Sequence, residues 1–134
     1  MIRRLSIALT LVLCSSIIYG YTWTAKTPMT IGRDDHSSSV VNGKIYVMGG
    51  YNALQSIEEF NPQANAWVTK ATIPLEVGRH TSNEFNGRIY VFGGLYNPQS
   101  VQIYTPSTNT WTTGASIPES SYSHASTVVG DKIF

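Results

Sequence analysis

A period of 44 residues organises most of this chain and limits the folds that it can adopt. Tryptophan and histidine both recur at this spacing, at Trp23, Trp67 and Trp111 and at His36, His80 and His124. The triplet Ile45-Tyr46-Val47 returns as Ile89-Tyr90-Val91 and begins again at Ile133-Phe134. Agreement of several residue types at one period indicates tandem copies of a single supersecondary unit.

Each copy has the pattern of four short β-strands. Two β-prone runs, residues 36–41 and 44–48, flank Asn42-Gly43, and this dipeptide favours the type I′ turn of a β-hairpin. Residues 56–60 and 66–70 form two further runs, with a turn signal at Asn61-Pro62 between them. Four short antiparallel strands per copy predict an all-β fold built from the blades of a β-propeller.

The glycines and aromatic residues are spaced as in the kelch repeat, and the chain resembles that family from Trp23 to Phe134. In a kelch repeat a hydrophobic strand ends in a double glycine, an aromatic residue follows, and a tryptophan comes after it. The matching residues here are Gly49, Gly50, Phe60 and Trp67 in one copy, and Gly93, Gly94, Tyr104 and Trp111 in the next. A WD-type repeat is disfavoured because Thr or Val, rather than Asp, follows each tryptophan. The resemblance implies a kelch-type β-propeller.

The repeated motif residues have structural roles in this interpretation. The double glycines permit a sharp turn and close approach of neighbouring blades. The small residues after each histidine, such as Ser37 and Ser82, suit an innermost strand near a crowded axis. The three histidines could in principle face one metal, but no Cys, Asp or Glu keeps their period. We therefore expect structural histidines, with no metal site and no cofactor.

The first 20 residues are predicted to be a secretory signal peptide. Arg3 and Arg4 precede a short apolar run, Leu5–Leu13, and small residues follow it. Cleavage is expected after Gly20, with Ser16 as the alternative. A membrane anchor is disfavoured because the apolar stretch is shorter than the roughly 20 residues of a spanning helix. A lipoprotein site at Cys14 is disfavoured because the large Leu13 precedes it.

Composition supports an exported protein and excludes one class of partner. Cys14 is the only cysteine, so the mature protein would be held together without disulfides, as suits a periplasmic, secreted or cell-surface setting. The chain has a net charge of +1, and Arg3 and Arg4 lie in the predicted signal peptide. No basic field remains after cleavage to bind a phosphate backbone, so a nucleic-acid partner is disfavoured, and no membrane span is expected.

Residues 21–134 are expected to form an incomplete propeller. The predicted parts are an outer strand at 21–24, blades at about 33–70 and 79–114, and the start of a third blade at 123–134. Closed propellers have about four to eight blades, and this chain has fewer repeats than that. It is therefore predicted to be an N-terminal fragment of a longer propeller, which would be a monomer when complete.

The candidate ligand-binding residues lie in the longer loops, which up-and-down topology places at one end of the blades. They are Tyr51, Asn52, Glu76, Arg79, Tyr96 and Asn97. Exposed tyrosines beside polar groups suit a protein or glycan ligand, so a binding module without catalysis is the main functional hypothesis. The alternative is part of a kelch-type enzyme similar to galactose oxidase or a sialic acid mutarotase, with its active site outside this chain. For the second of these, Arg33, Glu76 and Arg79 are the charged residues that could line the mouth of the propeller.

Overall fold

The computed structural model describes residues 23–134, and the predicted signal peptide lies outside the described residues. The described residues form antiparallel sheets, which confirms the all-β prediction. The first sheet contains β1 (Ser37–Val41), β2 (Lys44–Met48), β3 (Ile57–Asn61) and β4 (Ala66–Thr69) in that spatial order. The second contains β5 (Thr81–Phe85), β6 (Arg88–Phe92), β7 (Val101–Thr105) and β8 (Thr110–Thr113). A short pair, β9 (Val128–Val129) and β10 (Lys132–Ile133), follows.

The Asn-Gly dipeptides form the hairpin turns that the sequence predicts. Asn42 and Gly43 have φ angles of 50° and 73°, and Asn86 and Gly87 have 52° and 74°. Two successive positive φ angles define a type I′ turn, whose twist matches that of the strands on either side. The two sheets therefore begin with the same tight hairpin, as a repeated unit should.

The main core lies between the two four-stranded sheets. Tyr46 and Met48 of β2 pack with Ile89 and Val91 of β6, and all four side chains are buried. The rings of Tyr46 and Tyr104 are 5.9 Å apart across the same core. Because successive strand residues point to opposite faces, each sheet has a second apolar face on its other side.

The double glycines lie where the chain after β2 and after β6 packs closely against the segments that lead into the inner strands. Gly49 has a φ of +58°, and a Cβ atom on it would lie 2.4 Å from the carbonyl oxygen of Val77. Gly93 repeats this geometry against Ser121, at the same distance. Only glycine can adopt this conformation without a clash at such a position. The predicted role of the double glycine, a turn combined with close approach, is confirmed.

The innermost strands of the two sheets are joined by hydrogen bonds between small polar side chains. The Oγ atoms of Ser39 and Ser82 are 2.9 Å apart. Ser37 Oγ shares a 2.7 Å hydrogen bond with Nε2 of His80, and Thr81 shares one of 3.3 Å with His124. The histidines therefore connect one repeat to the next, which is the structural role expected of them.

His80 is buried between the two sheets, and within residues 23–134 only one of its two ring nitrogens, Nε2, has a hydrogen-bond partner. Its Nδ1 atom has no hydrogen-bond partner among the described residues. Burial, followed by the nearby rings of His36 and His124, lowers the pKa of His80 to about 4. The imidazole is therefore neutral at physiological pH.

Two buried carboxylates distinguish the first sheet from the second. Glu59 accepts hydrogen bonds from Lys44 Nζ at 2.7 Å and from the Tyr46 hydroxyl at 2.8 Å, and Lys70 Nζ lies 2.8 Å from it. Burial alone would raise the pKa of Glu59, but these three partners outweigh it and lower the pKa to about 2. Glu58 is paired with Arg33 at 2.6 Å, and both side chains are buried.

The position of Arg33 corrects one expectation from the sequence. Arg33 was predicted to be able to line the mouth of the propeller, but its guanidinium lies inside the protein against Glu58 and the carbonyl oxygens of Gly49 and Ser56. A loop position does not ensure exposure when a buried carboxylate lies within reach of a long side chain. Arg33 is therefore not available to a ligand.

The N-terminal part of the described chain runs along the first sheet without forming a strand. Trp23 and Thr24 carry no strand pairing, and Trp23 is fully exposed. The predicted outer strand at 21–24 lies partly outside the described residues and stays a prediction. Within residues 23–134, no helix has the length and apolar character that crossing a bilayer requires.

Candidate ligand-binding rim

The long loops of both sheets meet at one end of the protein and form a surface that we call the rim. The loop after β2 and the linker after β4 are joined here, because Val77 donates its N–H to the carbonyl of Leu54 at 3.0 Å. The loop after β6 is held to the same linker by Leu95 N–H and the carbonyl of Gly78, at 2.9 Å. The rim consists of Asp35, Tyr51, Asn52, Glu76, Arg79, Tyr96, Asn97 and Tyr122.

A backbone ladder orders the innermost part of the rim. Asp35, Arg79 and Ser123 occupy equivalent positions in successive repeats, and all three have positive φ angles, of 51°, 56° and 52°. The N–H of Arg79 donates to the carbonyl of Asp35 at 3.0 Å, and the N–H of Ser123 donates to that of Arg79 at 2.8 Å. Non-glycine residues in this conformation are uncommon and must be held by their surroundings. The same backbone frame thus presents a different side chain in each repeat.

Arg79 is the central charged group of the rim. Its Nε atom donates to Asp35 Oδ2 at 3.0 Å, and its Cζ atom lies 6.0 Å from the centre of the Tyr51 ring. The hydrogen bond that Arg79 donates to Asp35, followed by electrostatic attraction from Tyr51 and Asp35, raises the pKa of Arg79. Carboxylate and aromatic ring together fix the direction of the guanidinium, although both charged side chains stay partly exposed.

Tyr96 and Tyr122 present further aromatic surface around Arg79. Tyr96 is 42% exposed and Tyr122 is 55% exposed. Partial desolvation first, and then the neighbouring Tyr51 hydroxyl and the Glu76 carboxylate, raise the pKa of Tyr96. The Tyr96 phenol is therefore neutral at physiological pH, and each of the two side chains offers an apolar ring with a polar tip.

The two rim asparagines help to build the loops. Asn97 donates from Nδ2 to the carbonyl of Glu76 at 3.0 Å, and its own carbonyl accepts from Ser100 Oγ at 2.9 Å. Asn52 lies at a φ of 68°, a conformation that asparagine tolerates better than most residues. The structure thus brings the six predicted residues to one end of the sheets. Asn97 holds the loops together there, Tyr51 is half-buried, and the other four residues are exposed.

The sequence reasoning missed Asp35 and Tyr122 as members of this surface. Asp35 is not among the predicted binding residues, although it lies one period before Arg79 and is aligned with it in the repeat. Residues at equivalent positions in adjacent blades are neighbours around the propeller axis. The 44-residue spacing of Asp35 and Arg79 was therefore the sequence signal that could have identified them as neighbours.

The loops at this end carry more negative than positive charge. Asp34, Asp35, Glu76 and Glu119 are exposed here, whereas Arg79 is the cation of the rim. Such a surface repels anions and favours neutral or cationic ligands. No group of three acidic, histidine or cysteine side chains within residues 23–134 is arranged to hold a metal ion.

Comparison with known proteins agrees with this architecture. The kelch motif matches residues 32–73 and 77–118, so the chain belongs to the kelch-repeat family. Its fold is that of a kelch-type β-propeller, of which the described residues form part.

Solved structures of 141 chains match the fold. The structure of YjhT, a kelch-type propeller protein, matches with a TM-score of 0.75 and 22% sequence identity. The match covers 84% of this chain and 47% of that chain, so this chain spans about half the length of YjhT. No curated protein sequence matches.

Proposed function

We propose that this chain is part of an exported kelch-type propeller that binds a carbohydrate or protein ligand through the rim and does not itself catalyse a reaction. The arrangement of Arg79 carries this proposal. Asp35 and Tyr51 hold its guanidinium in a fixed direction on a surface that also carries the exposed rings of Tyr96 and Tyr122. Preorganised polar groups beside rigid aromatic rings reduce the entropy that binding costs.

A neutral glycan fits this surface better than an acidic one. The faces of tyrosine rings pack against the C–H groups of a sugar ring, while carboxylate and guanidinium groups bind its hydroxyls. The exposed carboxylates Asp34, Glu76 and Glu119 oppose a negatively charged ligand. A protein partner would use the same tyrosines as contact residues, because Tyr and Arg dominate the energetic centres of interfaces.

The test begins with immobilised neutral and acidic oligosaccharides and the full chain. Neutral sugars are expected to bind, and Tyr51→Ala combined with Tyr96→Ala is expected to weaken binding by about tenfold or more. Val68→Ala is the matched control, because Val68 is exposed on the outer strand of the first sheet. A sugar that binds with the same affinity to the double variant would overturn the proposal.

Export is part of the proposal and has its own test. It rests on the sequence of residues 1–20 and on the lack of cysteine in the rest of the chain. The intact mass of the protein from its native cells is expected to correspond to a chain that begins at Tyr21. A mass that includes Met1 in the cell interior would exclude export.

A further inference from the structure

The turn between the two inner strands of each sheet has the dipeptide sequence that is most prone to spontaneous deamidation. Asn-Gly occurs twice in the sequence, at Asn42-Gly43 and at Asn86-Gly87, and all four residues are exposed. In this dipeptide the backbone nitrogen of glycine can attack the side-chain amide of asparagine, because glycine has no Cβ atom to hinder the approach. A Cβ atom on either glycine would meet nothing within 4 Å, so both turns are sterically open.

The reaction consumes only water. The backbone nitrogen of glycine loses its proton and forms a bond to Cγ of asparagine, while the bond from Cγ to Nδ2 breaks and Nδ2 leaves with that proton as ammonia. Water then opens the cyclic imide at one of its two carbonyls. Opening at one carbonyl gives aspartate. Opening at the other gives isoaspartate, in which the backbone passes through the former side chain.

One side chain distinguishes the second turn from the first. Glu84 Oε1 accepts a hydrogen bond at 2.7 Å from the backbone N–H of Gly87, and this nitrogen is the one that must attack. The residue one period before Glu84 is Val40, whose side chain has no acceptor. The N–H of Gly43 has no backbone partner among residues 23–134. The turns are otherwise alike, with φ angles of 50° and 73° in the first and of 52° and 74° in the second.

The hydrogen bond to Glu84 opposes the reaction of Asn86 in two ways. The nitrogen of Gly87 must leave the carboxylate before it attacks, so the free energy of a hydrogen bond to a charged group is added to the barrier. The same nitrogen must also lose its proton, and a carboxylate 2.7 Å away opposes the formation of a second negative charge. Val40 imposes neither cost on the first turn.

We propose that Asn42 is a deamidation site of the folded protein and that Glu84 protects the otherwise equivalent Asn86. Isoaspartate at this position adds one atom to the backbone of a two-residue turn, on either side of which Val41 and Lys44 are paired. The turn fixes the register of β1 against β2, so this product loosens the hairpin. Aspartate retains the turn, because Asp-Gly also favours type I′ geometry. Either product adds one negative charge at the end of the sheet opposite the rim.

Peptide mapping by mass spectrometry of the full chain, incubated at neutral pH, tests the proposal. Trypsin releases residues 34–44 and 80–88, each of which contains one of the two dipeptides. Asn42 is expected to convert to aspartate and isoaspartate about tenfold faster than Asn86. Asn65 is the internal control, because it is exposed and has a similar φ of 51° but is followed by Ala66. It is expected to stay intact.

Exchange of residues between the two turns isolates the role of Glu84. Glu84→Val copies the first turn and is expected to bring Asn86 to the rate of Asn42. Glu84→Gln keeps an uncharged acceptor and is expected to give an intermediate rate. In the reciprocal variant, Val40→Glu is expected to slow Asn42. Circular dichroism of each variant before incubation shows that the compared proteins are folded.

The opposite results are equally clear. A rate at Asn42 no higher than that at Asn86 or Asn65 would overturn the proposal. An unchanged rate at Asn86 in both Glu84 variants would overturn the protective role, and so would a slower rate, which would make the carboxylate a base that promotes the reaction. Oligosaccharide binding at the rim involves other residues, so these outcomes leave the proposed function standing.

Discussion

Close approach of backbone to backbone is what makes glycine necessary at the double-glycine positions. Gly49 and Gly43 share a positive φ angle, but a Cβ atom on Gly43 would meet nothing within 4 Å, whereas one on Gly49 would lie 2.4 Å from a carbonyl oxygen. A side chain at Gly43 would therefore incur only the free-energy cost of the left-handed conformation, whereas a side chain at Gly49 would add the cost of a steric clash. The same comparison explains why only Gly49 belongs to the kelch motif.

Substitution of these two glycines should therefore have unequal effects. Gly43→Ala is expected to cost about 1–2 kcal/mol, the usual penalty of the left-handed conformation. Gly49→Ala adds a backbone clash and is expected to cost about 2–5 kcal/mol in total. Urea denaturation followed by tryptophan fluorescence measures both. Equal losses of unfolding free energy would contradict the packing described for Gly49.

His80 should make the fold less stable in mild acid. Its pKa is about 4 in the folded protein and near 6.5 when unfolded, so the unfolded state binds more protons between these values. Stability contributed by the neutral ring is therefore complete above pH 6.5 and is lost as pH falls toward 4, by at most about 3 kcal/mol. Glu59, whose pKa is lowered from 4.5 to about 2, keeps its full stabilising effect above about pH 5 and loses it as pH falls from there toward 2.

The measurement is unfolding free energy at several pH values between 4 and 7. His80→Gln is expected to flatten the pH dependence in this window. Val68→Ala is the control, because Val68 is exposed on the outer strand of the first sheet, carries no titratable group and should leave the slope unchanged. A slope that His80→Gln leaves as steep as before would show that another group causes it.

At the scale of elements, the two sheets differ in the side chains that they bury at one pair of equivalent positions. The first sheet buries the ion pair of Arg33 and Glu58, whereas the second has Val77 and Gln102 at the equivalent positions. A buried ion pair is often no more stabilising than a neutral replacement, but loss of one partner leaves an unpaired charge. Val77 and Gln102 in the second repeat thus show which neutral residues can occupy the positions of Arg33 and Glu58.

Transfer of the second sheet's residues into the first should follow this rule. Arg33→Val alone leaves Glu58 buried without its cation and is expected to cost about 3–5 kcal/mol. Addition of Glu58→Gln copies the second sheet and is expected to recover most of that loss. Thermal and urea denaturation of the single and double variants measure the difference. A double variant no more stable than the single one would contradict the equivalence of the two sites.

Repetition explains which parts of the fold could be predicted from the sequence. The Asn-Gly turns, double glycines and aromatic pairs each appear twice. Their positions could be predicted from turn geometry and from the alternation of residues along the strands. The burial of Arg33 could not be predicted, because its partner Glu58 is 25 residues away and Arg33 has no counterpart in the second copy. The rim loops were located by topology, and the 44-residue period aligns Asp35 with Arg79, although the direct contact of the two side chains also depends on how adjacent blades turn about their axis.

At the scale of the whole molecule, the two ends of the sheets differ in what they offer a ligand. The opposite end consists of tight turns such as Asn42-Gly43, which lack exposed tyrosines. The rim carries the exposed tyrosines, the Asp35–Arg79 pair and an excess of negative charge. A neutral sugar should therefore contact one end only.

The most direct test of this account is to map a bound neutral oligosaccharide by NMR on the isotope-labelled protein. The account predicts chemical-shift changes at Tyr51, Arg79, Tyr96 and Tyr122 and their loop neighbours, with few at the Asn-Gly turns. Changes centred on Asn42-Gly43 and Asn86-Gly87, with the rim unaffected, would contradict it.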